Sequence, residues 1–527
     1  MAPSEASARR RTIALVGVLV VATVLRAYGI GARSLWADEA NTLEIARLGA
    51  AGAVERLRVD ASPPLYYALL HVWSALVGTS EAATRALSAL FGVALVAAVH
   101  RVGARRVSTA AGLWAAAYVA VLPSQVFHSQ QLRMYTLLPL LALLSTEALA
   151  RLRERPRAAA AASYAVLTAL ALLTHNAAFF LLPLHAAMAL RPGARTVPTR
   201  HLVGAALGVA FLYAPWAPSL WEQLSSPDTY SWYRPNWGRL GTFEPLTQTL
   251  GALSPEARDV VRRGFDPTPL GGASALAAAL VVGAGLVSLV RSGRFWTAGL
   301  FVVPLVVGLA FSKFVLPVWV PGRIGQLVVP GFALAFGAGL AAVRGRALPV
   351  AIGASLLLVS LATDVRNAPS RDDARDERAL AEAVLANARA GDVVIVTSIA
   401  RPSLAYYLAG LDDDVPVITF PRYNERHMGW LAGPEPPVPD AVMRSEADAV
   451  VRRAAAHAAP DGRIFCALLD VAVVRHLERA LENGRVEALG PRIEYEQTAT
   501  GIRLWLVVAR PAAGAAGVEH GGQSPPR

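Results

Sequence analysis

Two adjacent carboxylates, Asp38 and Glu39, are the residues best suited to chemistry in this chain. They lie in the stretch Ser34–Ala40, just beyond an apolar run over residues 12–30. Burying a carboxylate without a partner is costly, so acidic residues this close to a membrane-length run are rarely incidental. A carboxylate there suits a general base. The alternative is a helix cap, with either residue leading into a helix over residues 40–48.

Three basic residues, Arg133, Lys313 and Arg323, are candidates for binding a phosphate group. Arginine offers a forked donor to phosphate oxygens, and lysine offers a compact charge. All three stand near the ends of apolar runs. The alternative for each is therefore that it extends to the membrane surface and binds lipid headgroups.

Aromatic and histidine side chains supply the candidates for contacts with a substrate. Aromatic rings can stack on a ligand, but anchoring at the membrane interface or structural hydrogen bonding explains the same residues. The candidates are Trp36, Tyr66, Tyr67, His128, Tyr135, His175 and Trp232. The sequence has no cluster of ligands with metal spacing and no glycine-rich nucleotide loop, so we expect no metal and no other cofactor. The single cysteine, Cys466, excludes an intrachain disulfide.

The composition is that of a membrane protein. The chain has 527 residues, of which 54% are hydrophobic and only 17% charged, and its mean hydropathy is +0.41. The net charge of +12 comes from short basic clusters between apolar runs. Such clusters encode orientation in a membrane, so we expect membrane lipids and no nucleic acid as partners.

About eleven apolar runs predict a polytopic helical protein. They cover residues 12–30, 86–100, 108–124, 136–150, 158–173, 177–190, 202–218, 271–290, 295–311, 324–343 and 347–363. The basic clusters then fall on one face, which the positive-inside rule makes cytoplasmic together with the N-terminus. This holds if residues 63–77 form an interfacial helix; a true span compensated by a re-entrant element elsewhere is the alternative. The predicted location is a bacterial inner membrane.

Almost all polar groups that could take part in a reaction are predicted to lie on the outer face, and the predicted spans carry little charge. A coupled transporter would need ionisable groups at mid-depth, so transport is disfavoured. Residues 1–364 form the predicted membrane domain. Strand-like and helix-like patterns alternate over residues 365–510, which predicts an extracytoplasmic α/β domain. Residues 511–527 are rich in Gly, Ala, Pro and Ser, which predicts a disordered tail.

Several short motifs, in a fixed order, carry a family resemblance. They are Trp36-Ala-Asp-Glu39, Ser62-Pro-Pro-Leu-Tyr-Tyr67, Gly78-x-x-Glu81-x-x-x-Arg85, Ser129-Gln-Gln-x-Arg-Met-Tyr135, Val320-Pro-Gly-Arg323, Gly391-Asp-Val-Val394 and Pro402-Ser-Leu-Ala-Tyr-Tyr407. Together they resemble the family 39-type glycosyltransferases of the GT-C fold, which include protein O-mannosyltransferases and lipid A aminoarabinose transferases. The resemblance extends from residue 12 to about residue 410.

This resemblance implies an inverting sugar transfer, with mannose as the family's suggestion, from a polyprenyl-phosphate donor. The acceptor would be a protein, a glycan or a lipid on the outer face. Asp38 matches the family's acidic residue in the first outer loop, its general base; Glu39 would orient Asp38 or the acceptor, or the two roles would be exchanged. The aromatic and histidine candidates would contact the sugar or the acceptor. Gln131 replaces a frequent acidic residue, and Ile324 replaces the usual tyrosine after Arg323. The alternatives are an oligosaccharide ligase or polymerase using a polyprenyl-diphosphate donor, and a non-enzymatic lipid carrier or scaffold.

Overall fold

The structure is a computed structural model, and it forms two compact units. It describes residues 5–60, 62–191, 197–225, 243–257, 272–345, 347–368, 376–397, 400–421, 439–469, 474–483, 486–496 and 503–511. The first unit contains Met1–Arg33 and Thr42–Ser370, and the second contains Ser34–Asn41 and Arg371–Arg527. The acidic stretch, predicted as part of the membrane domain, therefore groups with the C-terminal residues. The predicted disordered tail lies outside the described residues, except for Pro511.

The described part of the first unit consists of helices. The α-helices are Glu5–Ala27, Ala37–Arg47 (whose first turn belongs to the second unit), Gly49–Val59, Leu65–Val77, Glu81–Arg106, Thr109–Ala120, Pro123–Ser129, Leu137–Glu154, Ala158–Thr174, Leu182–Leu190, Thr199–Tyr213, Ala217–Ser225, Glu244–Ala252, Ala273–Arg291, Phe295–Phe314, Val329–Ala342 and Ala347–Arg366. Short 3-10 helices at Asn176–Leu181, Ala214–Trp216 and Ile324–Val328 lead into the α-helices that follow them.

The predicted polytopic helical class is confirmed. Among the described residues, six helical segments are long and apolar enough to cross a membrane, and one bent pair of helices would make a seventh. Other predicted spans correspond to shorter helices such as Ala158–Thr174 or to helices with charged ends such as Leu137–Glu154. The predicted interfacial segment is the 13-residue helix Leu65–Val77. Its position at the interface stays a prediction.

One helical segment, Ile324–Ala342, lies at the centre of the first unit. Its apolar window is 94% buried, whereas the other five are 22–44% buried and present apolar side chains outward. Its neighbour is the helix Ala273–Arg291, and glycines permit the close packing. A Cβ at Gly285 would stand 1.8 Å from the Ala335 carbonyl oxygen, and one at Gly339 would stand 2.0 Å from the Val281 carbonyl oxygen. The two backbones thus touch directly, as in other membrane helix pairs with small residues at the interface.

The second unit is the predicted α/β domain. Its strands are β1 (Val393–Thr397), β2 (Val417–Phe420), β3 (Ile464–Leu469), β4 (Val486–Ala488), β5 (Ile493–Glu496) and β6 (Arg503–Pro511). In the described residues they form one sheet of order β2-β1-β3-β6-β4, with β5 also paired to β6. Strands β1, β2 and β3 are parallel, and β6 runs antiparallel to its three neighbours.

The helices of this domain agree with the sequence pattern, and two strands are additional. The helices are Glu377–Asn387, Arg401–Tyr407, Asp440–His457 and Val474–Glu482, with a 3-10 turn at Leu408–Gly410. Alternation along the sequence predicts helices over residues 372–390, 402–409, 441–456 and 471–481, which correspond to the four α-helices. It also predicts strands over residues 392–397, 416–420, 463–469 and 502–509, which correspond to β1, β2, β3 and β6. The short strands β4 and β5 were not predicted.

Candidate functional site

The acidic stretch is held by side chains of the α/β domain. The Ser34 N–H donates to Asp376 Oδ2 at 3.1 Å, and the Ser34 hydroxyl donates to Glu377 Oε2 at 2.9 Å. The Leu35 N–H donates to the Tyr407 hydroxyl at 2.6 Å. These bonds fix the backbone immediately before the helix that contains Asp38.

Asp38 and Glu39 lie in the first turn of the helix Ala37–Arg47, where negative charge is favoured by the helix dipole. Asp38 is fully buried and Glu39 is 1% exposed. A Glu39 carboxylate oxygen lies 3.4 Å from the N–H of Trp36 and accepts a hydrogen bond from it. This is one half of a capping box, in which the third helical residue reaches back to the cap. Glu39 therefore has a structural task of its own.

In the first unit, two buried arginines lie close to His175. Arg133 is 7% exposed and Arg323 is 6% exposed. Burial and the positive charges of Arg133 and Arg323 lower the pKa of His175 from its usual 6.5 to about 4. The imidazole is therefore neutral near neutral pH. Its Nδ1 accepts the N–H of Ala177 at 3.0 Å, which places the ring proton on Nε2, where it is a hydrogen-bond donor.

Arg133 is fixed by hydrogen bonds to its side chain and its backbone. Its guanidinium donates to the Thr42 hydroxyl at 2.8 Å. Its carbonyl accepts the Ser88 hydroxyl at 3.0 Å, and the Tyr66 hydroxyl lies 2.7 Å from the same Ser88 oxygen. Because Ser88 has one hydroxyl proton and gives it to Arg133, Tyr66 is the donor in that pair. Tyr66 is fully buried and supports Arg133 in this way.

Arg323 stands at a break before the central helix. The preceding carbonyl, that of Gly322, accepts hydrogen bonds from His128 Nε2 at 2.9 Å and from Gln326 Nε2 at 2.9 Å. Gln125 in turn donates to Gln326 Oε1 at 2.5 Å. Buried amides and a histidine thus hold the segment that presents Arg323.

Three of the predicted contact residues form a row of rings in the first unit. The His128 and Tyr135 ring centroids are 5.0 Å apart, and those of Tyr135 and His175 are 6.2 Å apart. The Arg133 guanidinium carbon lies 5.8 Å from the Tyr135 centroid, within cation–π range. The residues predicted for phosphate and sugar contact thus meet in one place: Arg133, Arg323, His128, Tyr135 and His175.

The remaining predicted binding residues are Lys313, Tyr67, Trp36 and Trp232. Lys313 is exposed at the end of the helix Phe295–Phe314, beside exposed apolar side chains. Tyr67 is buried and packs edge-to-face on Tyr66, with centroids 6.4 Å apart. Trp36 is buried in the second unit. Trp232 lies outside the described residues.

Two buried arginines with positioning contacts were not among the predicted site residues. Arg85 donates to the carbonyl oxygens of Ile30 at 3.0 Å and of Arg33 at 2.9 Å, and so fixes the chain that leads into the acidic stretch. Its place in the Gly78–Arg85 motif was the available signal. Arg26 donates to the Ser129 hydroxyl at 3.0 Å and to the Ala120 carbonyl at 2.8 Å. Its signal was that it interrupts the first apolar run.

No group of three or more His, Cys, Asp or Glu side chains that could hold a metal ion occurs within the part of the chain that the structure describes. The expectation of metal-independent chemistry stays a prediction. The residues brought together in the first unit are cations and neutral donors, a set that suits an anion.

Comparisons with known proteins connect this arrangement to a class of enzymes. Residues 61–219 match the family model described as dolichyl-phosphate-mannose-protein mannosyltransferase. A comparison with curated protein sequences found no match. Among solved structures, the chain is similar to ArnT from Cupriavidus metallidurans in the apo state, with a TM-score of 0.58 and 13% identity over 98% of this chain and 100% of that one.

Two further structures share the fold. ArnT from Cupriavidus metallidurans bound to undecaprenyl phosphate gives a TM-score of 0.56 at 13% identity, over 96% of this chain and 99% of that one. The Archaeoglobus fulgidus oligosaccharyltransferase in complex with Zn and sulfate gives 0.50 at 11% identity, over 95% and 73%. Together the family match and the shared fold indicate a membrane glycosyltransferase of the GT-C type.

Proposed function

We propose that this protein transfers a sugar from a polyprenyl-phosphate donor to an acceptor hydroxyl on the extracytoplasmic face of a bacterial inner membrane. The observation that carries the proposal is the pair of buried guanidinium groups, Arg133 and Arg323, that act together on His175. Two arginines beside a neutral N–H donor suit a phosphate, which accepts forked, charge-assisted hydrogen bonds. The undecaprenyl phosphate bound by ArnT supports the lipid part of the donor.

The reaction follows from the chemistry of a glycosyl phosphate. The acceptor oxygen attacks the anomeric carbon while the bond from that carbon to the phosphate oxygen breaks, which inverts the configuration. Asp38 takes the proton of the acceptor hydroxyl, and Arg133 and Arg323 stabilise the charge on the departing phosphate. A positioned base contributes roughly 10²–10⁴-fold to such a step. The family model supports mannose as the first sugar to test.

The test is sugar transfer by the purified protein in detergent, from radiolabelled polyprenyl-phosphate-mannose to a cell-envelope extract. Wild type is compared with Asp38→Asn and Arg133→Ala. We expect both variants to lose at least about 100-fold in rate. The matched control is Glu44→Gln, a carboxylate on the same helix whose oxygen lies 3.7 Å from Arg56 and which is partly exposed; it should transfer at the wild-type rate.

Glucose and arabinose donors follow if wild type does not transfer mannose. A polyprenyl-diphosphate donor distinguishes an oligosaccharide ligase or polymerase, since it carries one phosphate more. Transfer at the wild-type rate by Asp38→Asn contradicts the assigned base. Failure of wild type with every donor would favour a lipid carrier or scaffold.

A further inference from the structure

The second unit combines residues 371–527 with the acidic stretch Ser34–Asn41. None of the residues assigned to the transfer reaction lies in 371–527, but Asp38 lies in the acidic stretch, which folds with them. Ser34 and Leu35 are bound through both of their backbone N–H groups, to Asp376 and to Tyr407. Two consecutive peptide groups fixed in this way determine the direction in which the chain enters the helix Ala37–Arg47.

Asp376 is the more constrained of the two acceptors. Its Oδ1 caps the helix Glu377–Asn387 by accepting the N–H groups of Arg378 at 3.1 Å and of Ala379 at 3.2 Å. Its Oδ2 accepts the Ser34 N–H at 3.1 Å. One carboxylate thus joins the start of a domain helix to the acidic stretch, and the cap prevents it from rotating away.

An apolar anchor follows directly in the sequence. Ala37 is 1% exposed and belongs to the hydrophobic core of the α/β domain, a core that also contains Leu380 and Leu404. Asp38 is the next residue. The backbone before Asp38 is therefore held by three polar contacts at residues 34 and 35 and by packing at residue 37.

We propose that the α/β domain positions the general base of the transfer reaction, with Asp376 and Tyr407 as its positioning residues. The proposal rests on the proposed function, because it requires Asp38 to be the base. A displacement of about 1 Å in a catalytic group lowers a rate by roughly 100-fold. Loosening the contacts at Ser34 and Leu35 should therefore lower kcat and leave donor binding, which depends on Arg133 and Arg323, unchanged.

The sequence of the domain allows a sharp test in the full-length protein. Asp376→Asn keeps the helix cap, since asparagine caps as well as aspartate, but its amide N–H₂ cannot accept the Ser34 N–H. Tyr407→Phe removes only the hydroxyl that accepts the Leu35 N–H. We expect each variant to lower kcat about five- to tenfold, with the KM for the polyprenyl-phosphate sugar within twofold of wild type, as expected for one hydrogen bond.

Two control variants separate positioning from general damage to the domain. Tyr406→Phe makes the same chemical change at the neighbouring residue and should keep the wild-type kcat. Asp392→Asn weakens the domain elsewhere, since Asp392 accepts the Arg463 N–H at 2.7 Å, and should also keep the wild-type kcat. The reactivity of Cys466, which is buried in β3, reports whether the domain stays folded in each variant.

The outcomes are distinct. A lower kcat with unchanged KM and an unreactive Cys466 supports positioning. Wild-type kcat in both Asp376→Asn and Tyr407→Phe, with Asp38→Asn inactive, overturns the positioning role alone. A loss that appears only together with Cys466 reactivity also overturns it, because it reflects unfolding. Full activity of Asp38→Asn overturns this proposal together with the assigned base, whereas failure of wild type to transfer sugar from any donor overturns the proposed function itself.

Discussion

Arg133 is held more firmly than a long basic side chain in water would be. Its guanidinium is bonded to Thr42 and lies over the Tyr135 ring, and its carbonyl is bonded to Ser88. Such restraint removes in advance the rotamer entropy that a flexible arginine would lose on binding a phosphate. Shape and charge together therefore matter at this position.

Arg133→Lys keeps the charge but loses the forked donor and the contact with the ring. We expect kcat/KM for the polyprenyl-phosphate sugar to fall about 10- to 100-fold, as for a lost charge-assisted hydrogen bond. Steady-state transfer assays at several donor concentrations measure it. Lys313→Ala, which removes an exposed charge, should stay within twofold of wild type. Wild-type kcat/KM in Arg133→Lys would show that the charge alone is sufficient at this position.

His175 gives a prediction for the dependence of stability on pH. In the folded protein its pKa is about 4, whereas it is about 6.5 in an unfolded chain. The unfolded state therefore binds more protons between these values, and stability falls as the pH decreases from 6.5 to 4. We expect His175→Gln to show a smaller decrease in Tm between pH 7 and pH 5 than wild type. Equal decreases would contradict a neutral His175.

At the scale of helices, the backbone contact between Ala273–Arg291 and Val329–Ala342 holds the central segment. Arg323 stands at the start of that segment, one residue before Ile324. The packing of the helix pair therefore contributes to the position of a proposed phosphate-binding residue, together with the hydrogen bonds to the Gly322 carbonyl. We therefore expect substitutions at the glycines of this helix pair to lower the stability of the protein, and to lower its activity only as a consequence.

Gly285→Ala and Gly283→Ala form a matched pair on one helix. A Cβ at Gly285 would meet the Ala335 carbonyl at 1.8 Å, whereas one at Gly283 meets nothing within 4 Å. We expect Gly285→Ala to destabilise the protein by about 1–3 kcal/mol through overpacking. Gly283→Ala should be neutral or stabilising by up to about 1 kcal/mol. Thermal unfolding in detergent measures both; equal Tm values would contradict the close packing.

The sequence predicted helices and strands well where their periodic pattern was long. The strand Ile464–Leu469 and the helix Asp440–His457 are examples. It missed two strands. Val486–Ala488 is too short to show a period, whereas Ile493–Glu496 alternates apolar and acidic residues and so offered a signal that was not used. The missing information was the pairing with β6, which lies later in the chain.

The site was predictable in its charged residues and less so in their partners. Arg133 and Arg323 stand out because charge is rare beside apolar runs. Thr42 and Ser88 are ordinary residues that reach Arg133 from 91 and 45 positions away, and no local pattern marks such contacts. The same applies to Asp376, whose bond to Ser34 spans 342 positions.

At the scale of the whole molecule, Cys466 provides a specific probe of the α/β domain. It is the only cysteine of the chain and is fully buried in the sheet, and burial raises its thiol pKa to about 12. We expect the folded protein to resist a maleimide reagent at pH 7 and to react once denaturant unfolds the domain. Rapid labelling of the native protein would contradict the buried strand β3.

A second prediction at this scale concerns Asp392 and acid. Burial alone would raise the pKa of Asp392, but Arg463 and two backbone N–H groups outweigh burial and hold this pKa below its usual range. Its contribution to stability is present above the unfolded pKa near 3.8 and is lost as the pH falls through the lower folded value. Between pH 7 and pH 3, the free energy of unfolding should therefore decrease less in Asp392→Asn than in wild type, as measured by denaturant-induced unfolding at each pH. An equal decrease would exclude a role for this carboxylate.

The bond between Ser34 and Asp376 also has a consequence for how the protein is made. Asp376 lies 342 positions after Ser34 in the chain. At a synthesis rate of about 5–20 residues per second, Asp376 is therefore made roughly 17 to 70 seconds after Ser34. During that interval the membrane helices can insert, but the helix start that contains Asp38 lacks its partners. Chains that stop before the α/β domain would carry the carboxylate without the contacts that orient it. Completion of the α/β domain would then be the step at which the helix start containing Asp38 gains its partners.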